Sequence, residues 1–207
     1  MIDFHDIVCT AVEPIRVRHA ASYVSKYLVS TTNRLFEVSD SPDIIAENGK
    51  GTGIFNNPDE DKIDIFHLGN ALYAAPRKIN NLPSACDLIL IDSNKKEIML
   101  AELSESNSKS LLGINGSNKP GKIEKARNQL KSTIDIIAKT GFVEQPSKRT
   151  AIFFFRLPSN TDSVAARSLR AFSLNPVLSK VSSTRDPNYP DWTFHTYPYP
   201  YGYYIKD

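Results

Sequence analysis

Apolar and polar positions alternate along this chain in two rhythms, and the clearest block lies between Cys86 and Glu105. Two apolar runs of strand length, Asp87-Leu88-Ile89-Leu90-Ile91-Asp92 and Glu97-Ile98-Met99-Leu100-Ala101-Glu102, flank the turn-forming Ser93-Asn94-Lys95-Lys96. That spacing predicts a β-hairpin. If Asp92 pairs with Glu97, antiparallel register sets Asp87 directly opposite Glu102, with Cβ atoms about 4.5–5.5 Å apart. Two like charges at that distance repel by roughly 3 kcal/mol at an effective dielectric near 20. A shared proton, a neighbouring Lys or Arg, or a divalent ion would offset the repulsion, and hard carboxylate oxygens suit Mg²⁺ or Mn²⁺. A register slip would separate the pair.

The same reading extends to the rest of the chain. Residues 7–33 carry apolar positions at helical spacing, broken near Pro14, and predict a short helix followed by a longer one, with Glu13, Arg16, Arg18, His19 and Lys26 on a solvated face. Residues 39–61 are polar and turn-rich and predict a loop excursion, in which Gly49-Lys50-Gly51-Thr52-Gly53 is a flexible loop without the flanking strand and Lys-Ser/Thr ending of a phosphate cradle. Ile63 to Ala75 reads as strand material broken at Gly69-Asn70, able to pair beside the hairpin as a three-stranded meander; its His67 reads as structural. After a Ser/Asn/Gly-rich link from Ser104 to Gly121, a helix is predicted from about Pro120 to Ala138, ended by Gly141, with Ile123, Ala126, Leu130, Ile134 and Ile137 inward. Lys122, Gln129 and Thr133 share a neighbouring face of it. Thr150 to Leu157, too short and aromatic for a buried helix, predicts an interior strand paired in parallel through the crossover helix. Asp162 to Leu174 reads as a helix with Arg167 and Arg170 on a solvated face. The tail from Arg185 interleaves eight aromatic residues with prolines. It either folds back over the sheet, the favoured reading, or presents an extended row of rings to bases or a partner.

Composition adds limits. With 41% hydrophobic and 23% charged residues and a net charge of +2, the 207 residues suit one globular domain, with a helical region at about 5–35 and the aromatic tail at about 185–207. Near-balanced charge gives no bulk field toward nucleic acid. The two cysteines, Cys9 and Cys86, have no metal-type spacing and read as reduced thiols. No apolar run reaches membrane-spanning length and the first residues lack a leader pattern, so the expectation is a cytoplasmic protein without a membrane partner.

The order of elements, an Asp-bearing strand, a strand ending in Glu102-Leu103-Ser104, a helix carrying Gln129 and a further strand, resembles the PD-(D/E)xK nuclease-like superfamily over roughly residues 60–157. The resemblance implies an α/β fold with a central mixed sheet, an antiparallel meander and a crossover helix, flanked by helices in a restriction-endonuclease-like core. It implies that Asp87 and Glu102 hold Mg²⁺ or Mn²⁺ and that Ser104 stands where a Lys orients the attacking water. Gln129 resembles the helix Gln of the RecB-like branch, with Thr133 where that branch has Tyr, and Pro83 lies four residues ahead of Asp87. A hydroxyl cannot supply the positive charge of the motif Lys. Lys122, on the face of Gln129, is the first candidate to supply it, ahead of Lys109 and Lys119 in the preceding link; Glu105 is a further candidate ligand whose strand parity turns it away from Glu102. Two functions stay open: a metal-dependent endonuclease acting on nucleic acid, DNA before RNA, of restriction or defence type; and a catalytically inactive nuclease-like domain that binds nucleic acid, a partner protein or a second copy.

Overall fold

The computed structural model describes residues 4–11, 20–41, 43–74, 84–92, 94, 96–106, 108–113, 121–140, 146–157 and 180–205. The chain is a mixed α/β protein in three layers. Its central layer is a seven-stranded mixed sheet in the order β1-β5-β6-β7-β8-β10-β9, built from β1 (Leu28–Thr31), β5 (Ile63–His67), β6 (Leu88–Asp92), β7 (Glu97–Glu105), β8 (Lys148–Arg156), β9 (Ser182–Asp186) and β10 (Tyr189–Pro198). Strands β5, β6 and β7 form the antiparallel meander, and β8 joins β7 in parallel through α5 (Lys122–Lys139). A second, four-stranded sheet in the order β11-β4-β2-β3 holds β2 (Leu35–Val38), β3 (Ile45–Ala46), β4 (Gly53–Asn56) and β11 (Tyr203–Tyr204). Helices α1 (Phe4–Ala11), α2 (Ala20–Tyr27), α3 (Leu68–Ala74) and α4 (Ser108–Leu112) complete the described elements.

Strand alternation sends successive side chains of the central sheet to opposite layers. On β6 and β7, Ile89, Ile91, Ile98 and Leu100 pack with α1, α3 and α5, while Leu88, Leu90, Met99 and Ala101 pack with Phe36, Val38 and Phe55 of the second sheet. A strand buried on both faces has no polar side to show, which is why β6 and β8 read as nearly unbroken apolar runs. The α5 stripe lands as the spacing requires, with Ala126, Leu130, Ile134 and Ile137 buried, Ile123 partly so, and Thr133 and Ile136 added to it.

Three expectations are corrected. The segment from Leu28 leaves the helix as β1, whose β-branched Val29 and Thr31 suit the edge of the sheet beside β5. Residues 39–61 are not a loop alone, since they contribute β3 and β4. Within them Gly49–Gly53 is pinned: Glu37, itself buried, accepts the N–H groups of Gly49 (2.8 Å) and Gly51 (2.7 Å), and Arg156 donates to Gly51 O (2.7 Å). A Cβ on Gly51 would lie 2.5 Å from that of Glu37, so the contact requires glycine. Leu68 to Ala74 is a helix rather than continued strand, with Leu68, Ala71 and Leu72 on its buried side. The tail is not an extended row of rings: it forms β10 and β11, with Trp192, Phe194, Tyr203 and Ile205 buried, in line with the fold-back reading. Helix α5 ends at Lys139 with Thr140 as its cap, and Gly141, like His19, Lys119 and the segment 162–174 with Arg167 and Arg170, lies outside the described residues. Both cysteines are free thiols.

Candidate functional site

Strands β6 and β7 pair Leu88 with Ala101, Ile89 with Leu100, Leu90 with Met99 and Ile91 with Ile98, so the same register sets Asp87 across from Glu102. Both belong to the face covered by α5, because they share the parity of Ile89 and Leu100. Asp87 Oδ2 accepts the Leu103 N–H at 2.7 Å, and Glu102, only 9% exposed, keeps Oε2 without a hydrogen-bond partner. Burial pushes both carboxyls up from their ordinary range. The Asp40 charge raises Asp87 further, against the Leu103 N–H and His67, and the Asp87 charge adds to the effect of burial on Glu102, against Lys125. Two buried carboxyls side by side favour a proton on one of them. Glu102 holds it, being shifted beyond neutral pH.

Helix α5 positions the remaining candidates. Its first turn begins at Gly121, where a Cβ would come within 2.5 Å of the Leu112 backbone, so α4 and α5 meet as closely as glycine allows. From there Lys122 Nζ reaches to 3.4 Å from Ser104 Oγ, which in turn donates to Ser106 Oγ at 3.1 Å. One turn on, Lys125 acts on Glu102. Two cations in the first turn oppose the helix dipole, typically by 0.3–1 kcal/mol each at exposed positions. Helix stability alone does not select them. Gln129 Nε2 donates to Ala85 O at 3.0 Å, and Thr133 Oγ1 accepts the Cys86 N–H at 2.9 Å. These two bonds tie the helix to the backbone that leads into Asp87. Sequence spacing thus brought together Asp87, Glu102, Ser104, Lys122 and Gln129 at one end of the meander. Glu105 turns to the other face, where Thr52 Oγ1 donates to it at 3.3 Å.

Two participants carried no local signal. Asp40, in the turn between β2 and β3, acts electrostatically on both carboxyls. His67, 1% exposed at the end of β5, accepts the Asn70 N–H on Nδ1 at 3.2 Å and points Nε2 at Asp40 Oδ1, 3.2 Å away, without an aligned hydrogen bond. With Nδ1 accepting, the proton sits on Nε2, so in this arrangement His67 is a donor facing Asp40 and not a metal ligand. A Cβ on Gly69 would lie 3.5 Å from Asp87 Oδ1 and 3.7 Å from His67 Cε1, which places both side chains around the same small gap.

Among the described residues no group of three or more His, Cys, Asp and Glu side chains converges as a ready-made cation cage. A hard-oxygen pair with one buried, unpartnered oxygen nevertheless fits Mg²⁺, which binds through one or two carboxylates and keeps several waters. Beside the pair opens a cleft of about 1040 Å³, walled by Asp40, Asp43, Ile45, Glu47, Lys50 and Thr52 from the second sheet and by Leu103, Ser104, Glu105 and Lys122 from the central layer. Asp87 and Glu102 adjoin it through Asp40, Leu103 and Ser104. No family model, curated protein or solved structure matches the chain. Among the described residues no helix is long and apolar enough to cross a membrane.

Proposed function

We propose that the chain is a Mg²⁺- or Mn²⁺-dependent phosphodiesterase acting on nucleic acid, with a restriction-endonuclease-like core, a cytoplasmic setting and a restriction or defence role. The observation that carries this reading is the opposed pair Asp87–Glu102 with an ammonium group, Lys122, delivered beside Ser104 at the position where the resembled motif has its Lys. Asp87 and Glu102 would hold the ion, with Asp40 facing them. When bound, a divalent ion neutralises the pair and polarises the phosphate. The chain's own groups do the rest. Lys122 places positive charge over the attacking water and the crowded phosphate, and the Ser104 hydroxyl, already accepting from Lys122, orients that water. Hydrolysis adds the water across one P–O ester bond: its oxygen bonds to phosphorus as a proton leaves, and the departing oxygen takes a proton up. Gln129 and Thr133 fix the strand entry so that Asp87 keeps its place.

The test is cleavage of single- and double-stranded DNA and RNA by purified protein with Mg²⁺ or Mn²⁺, beside Asp87→Asn and Glu102→Gln. Metal-dependent product from wild type and none from either variant is the expected result. A wild type inert on all four substrates with both ions replaces this reading with the catalytically inactive binding domain.

A further inference from the structure

The cleft beside the carboxylates has walls of the wrong sign for a phosphate-dense duplex. Among the described residues it presents four carboxylates, Asp40, Asp43, Glu47 and Glu105, against two ammonium groups, Lys50 and Lys122, and Lys50 is already ion-paired with Glu47. A duplex carries a charge for every ~1.7 Å of axis, whereas a single strand carries about half that density and turns its base edges outward. We infer that the cleft admits unpaired nucleic acid, with base amino groups against the Asp43–Glu47 wall and the phosphate backbone led along Lys122 toward Asp87 and Glu102. This rests on the phosphodiesterase reading and names its substrate class.

Further features of the cleft support it. Val29, Ile45 and Leu103 contribute apolar surface to the same cleft, as a base ring requires and a phosphate backbone does not. Buried His67 faces Asp40 Oδ1 with Nε2 at 3.2 Å and so holds that carboxylate in the cleft wall. Carboxylates also read bases selectively: they accept from the amino group of cytosine, whereas thymine presents a carbonyl oxygen at the equivalent position. An acidic wall therefore favours amino-bearing bases over thymine.

The experiment measures cleavage of a labelled 12-nucleotide single strand and of the same sequence as a duplex, with Mg²⁺, and competition by unlabelled oligo-dC and oligo-dT. Wild type should cut the single strand at least tenfold faster, and oligo-dC should compete at least threefold better than oligo-dT. Asp43→Asn with Glu47→Gln, both on the exposed cleft wall, should raise duplex cleavage and bring both ratios below about two. Equal or faster cutting of duplex by wild type overturns the inference while leaving the phosphodiesterase reading intact. Ratios unchanged in the double variant overturn it too, by removing the wall as their origin. No cleavage of either substrate fails the phosphodiesterase reading itself, and the inference with it.

Discussion

Replacing Glu102 by Gln should make the metal-free protein more stable, although it removes a group at the heart of the proposed site. Glu102 stays protonated at neutral pH in the folded chain, owing to its burial and the Asp87 charge, and ionises near pH 4.3 when unfolded. Folding at pH 7 must therefore take up a proton. At about 1.36 kcal/mol per pH unit, that costs on the order of a few kcal/mol at pH 7. A carboxyl raised in the folded state costs nothing below its unfolded value; the cost grows as pH rises through that value and levels off above the folded one. Glutamine needs no proton and puts no charge beside Asp87. Glu102→Gln should gain roughly 2–3 kcal/mol at pH 7 with chelator present, or about 5–10 °C in Tm for a chain of this size. The gain should vanish near pH 4 and grow with pH until it levels off above about pH 9. Thermal melts at pH 4, 5.5, 7 and 8.5 check it. A gap of equal size at pH 4 and pH 8.5, or a variant less stable than wild type at pH 8.5, would refute the coupled-carboxyl argument. Addition of Mg²⁺ should close most of the gap, since an ion at about a hundred times its Kd adds roughly 2.7 kcal/mol to wild type.

Lys122→Ala should lower cleavage by about a hundredfold or more while leaving the Mg²⁺-induced rise in Tm unchanged, because the lysine faces Ser104 and the reacting phosphate rather than the ion; a variant with near wild-type turnover would remove it from the mechanism. Thr133→Val deprives the buried Cys86 N–H of its acceptor and should cost about 1–3 kcal/mol in urea unfolding. Tyr203→Phe should cost a similar amount, since its buried hydroxyl donates to Glu97 at 2.6 Å and meets Thr150 at 3.1 Å. Removing residues from Tyr197 onward should yield insoluble protein rather than a soluble one with weakened nucleic-acid binding, because Tyr203 and Ile205 fill the core between the two sheets.

The parts of this fold that show in the sequence are those fixed by neighbours along the chain. The hairpin register follows from two apolar runs and a four-residue connection, and once it is set Asp87 must face Glu102. Lys122, Gln129 and Thr133 follow from helical phase alone, and the crossover to β8 follows from a helix placed between two buried strands. What did not show is held by distant partners. Strands β2, β3 and β4 are two to four residues long, among glycines and prolines, and gain their order only by packing Phe36, Val38 and Phe55 onto the central sheet. Asp40 sits in a Ser-Asp-Ser turn whose composition suits any surface loop; only the position of the second sheet brings it to the carboxylates. Helix α3 was hidden because its seven residues directly continue a strand of similar hydrophobicity.

The seam between β4 and β11 sets an order of events during synthesis. Tyr203 pairs with Phe55, Tyr204 with Asn56, and the Ile205 N–H reaches Asn56 O at 2.9 Å. A ribosome adding ~5–20 residues per second delivers β11 on the order of 10–30 s after β4. Throughout that interval β4 has one bare edge, open to pairing with another chain. A nascent chain thus holds its Asp- and Glu-bearing strands while the second sheet still has an open edge, and docking of β11 is what closes it.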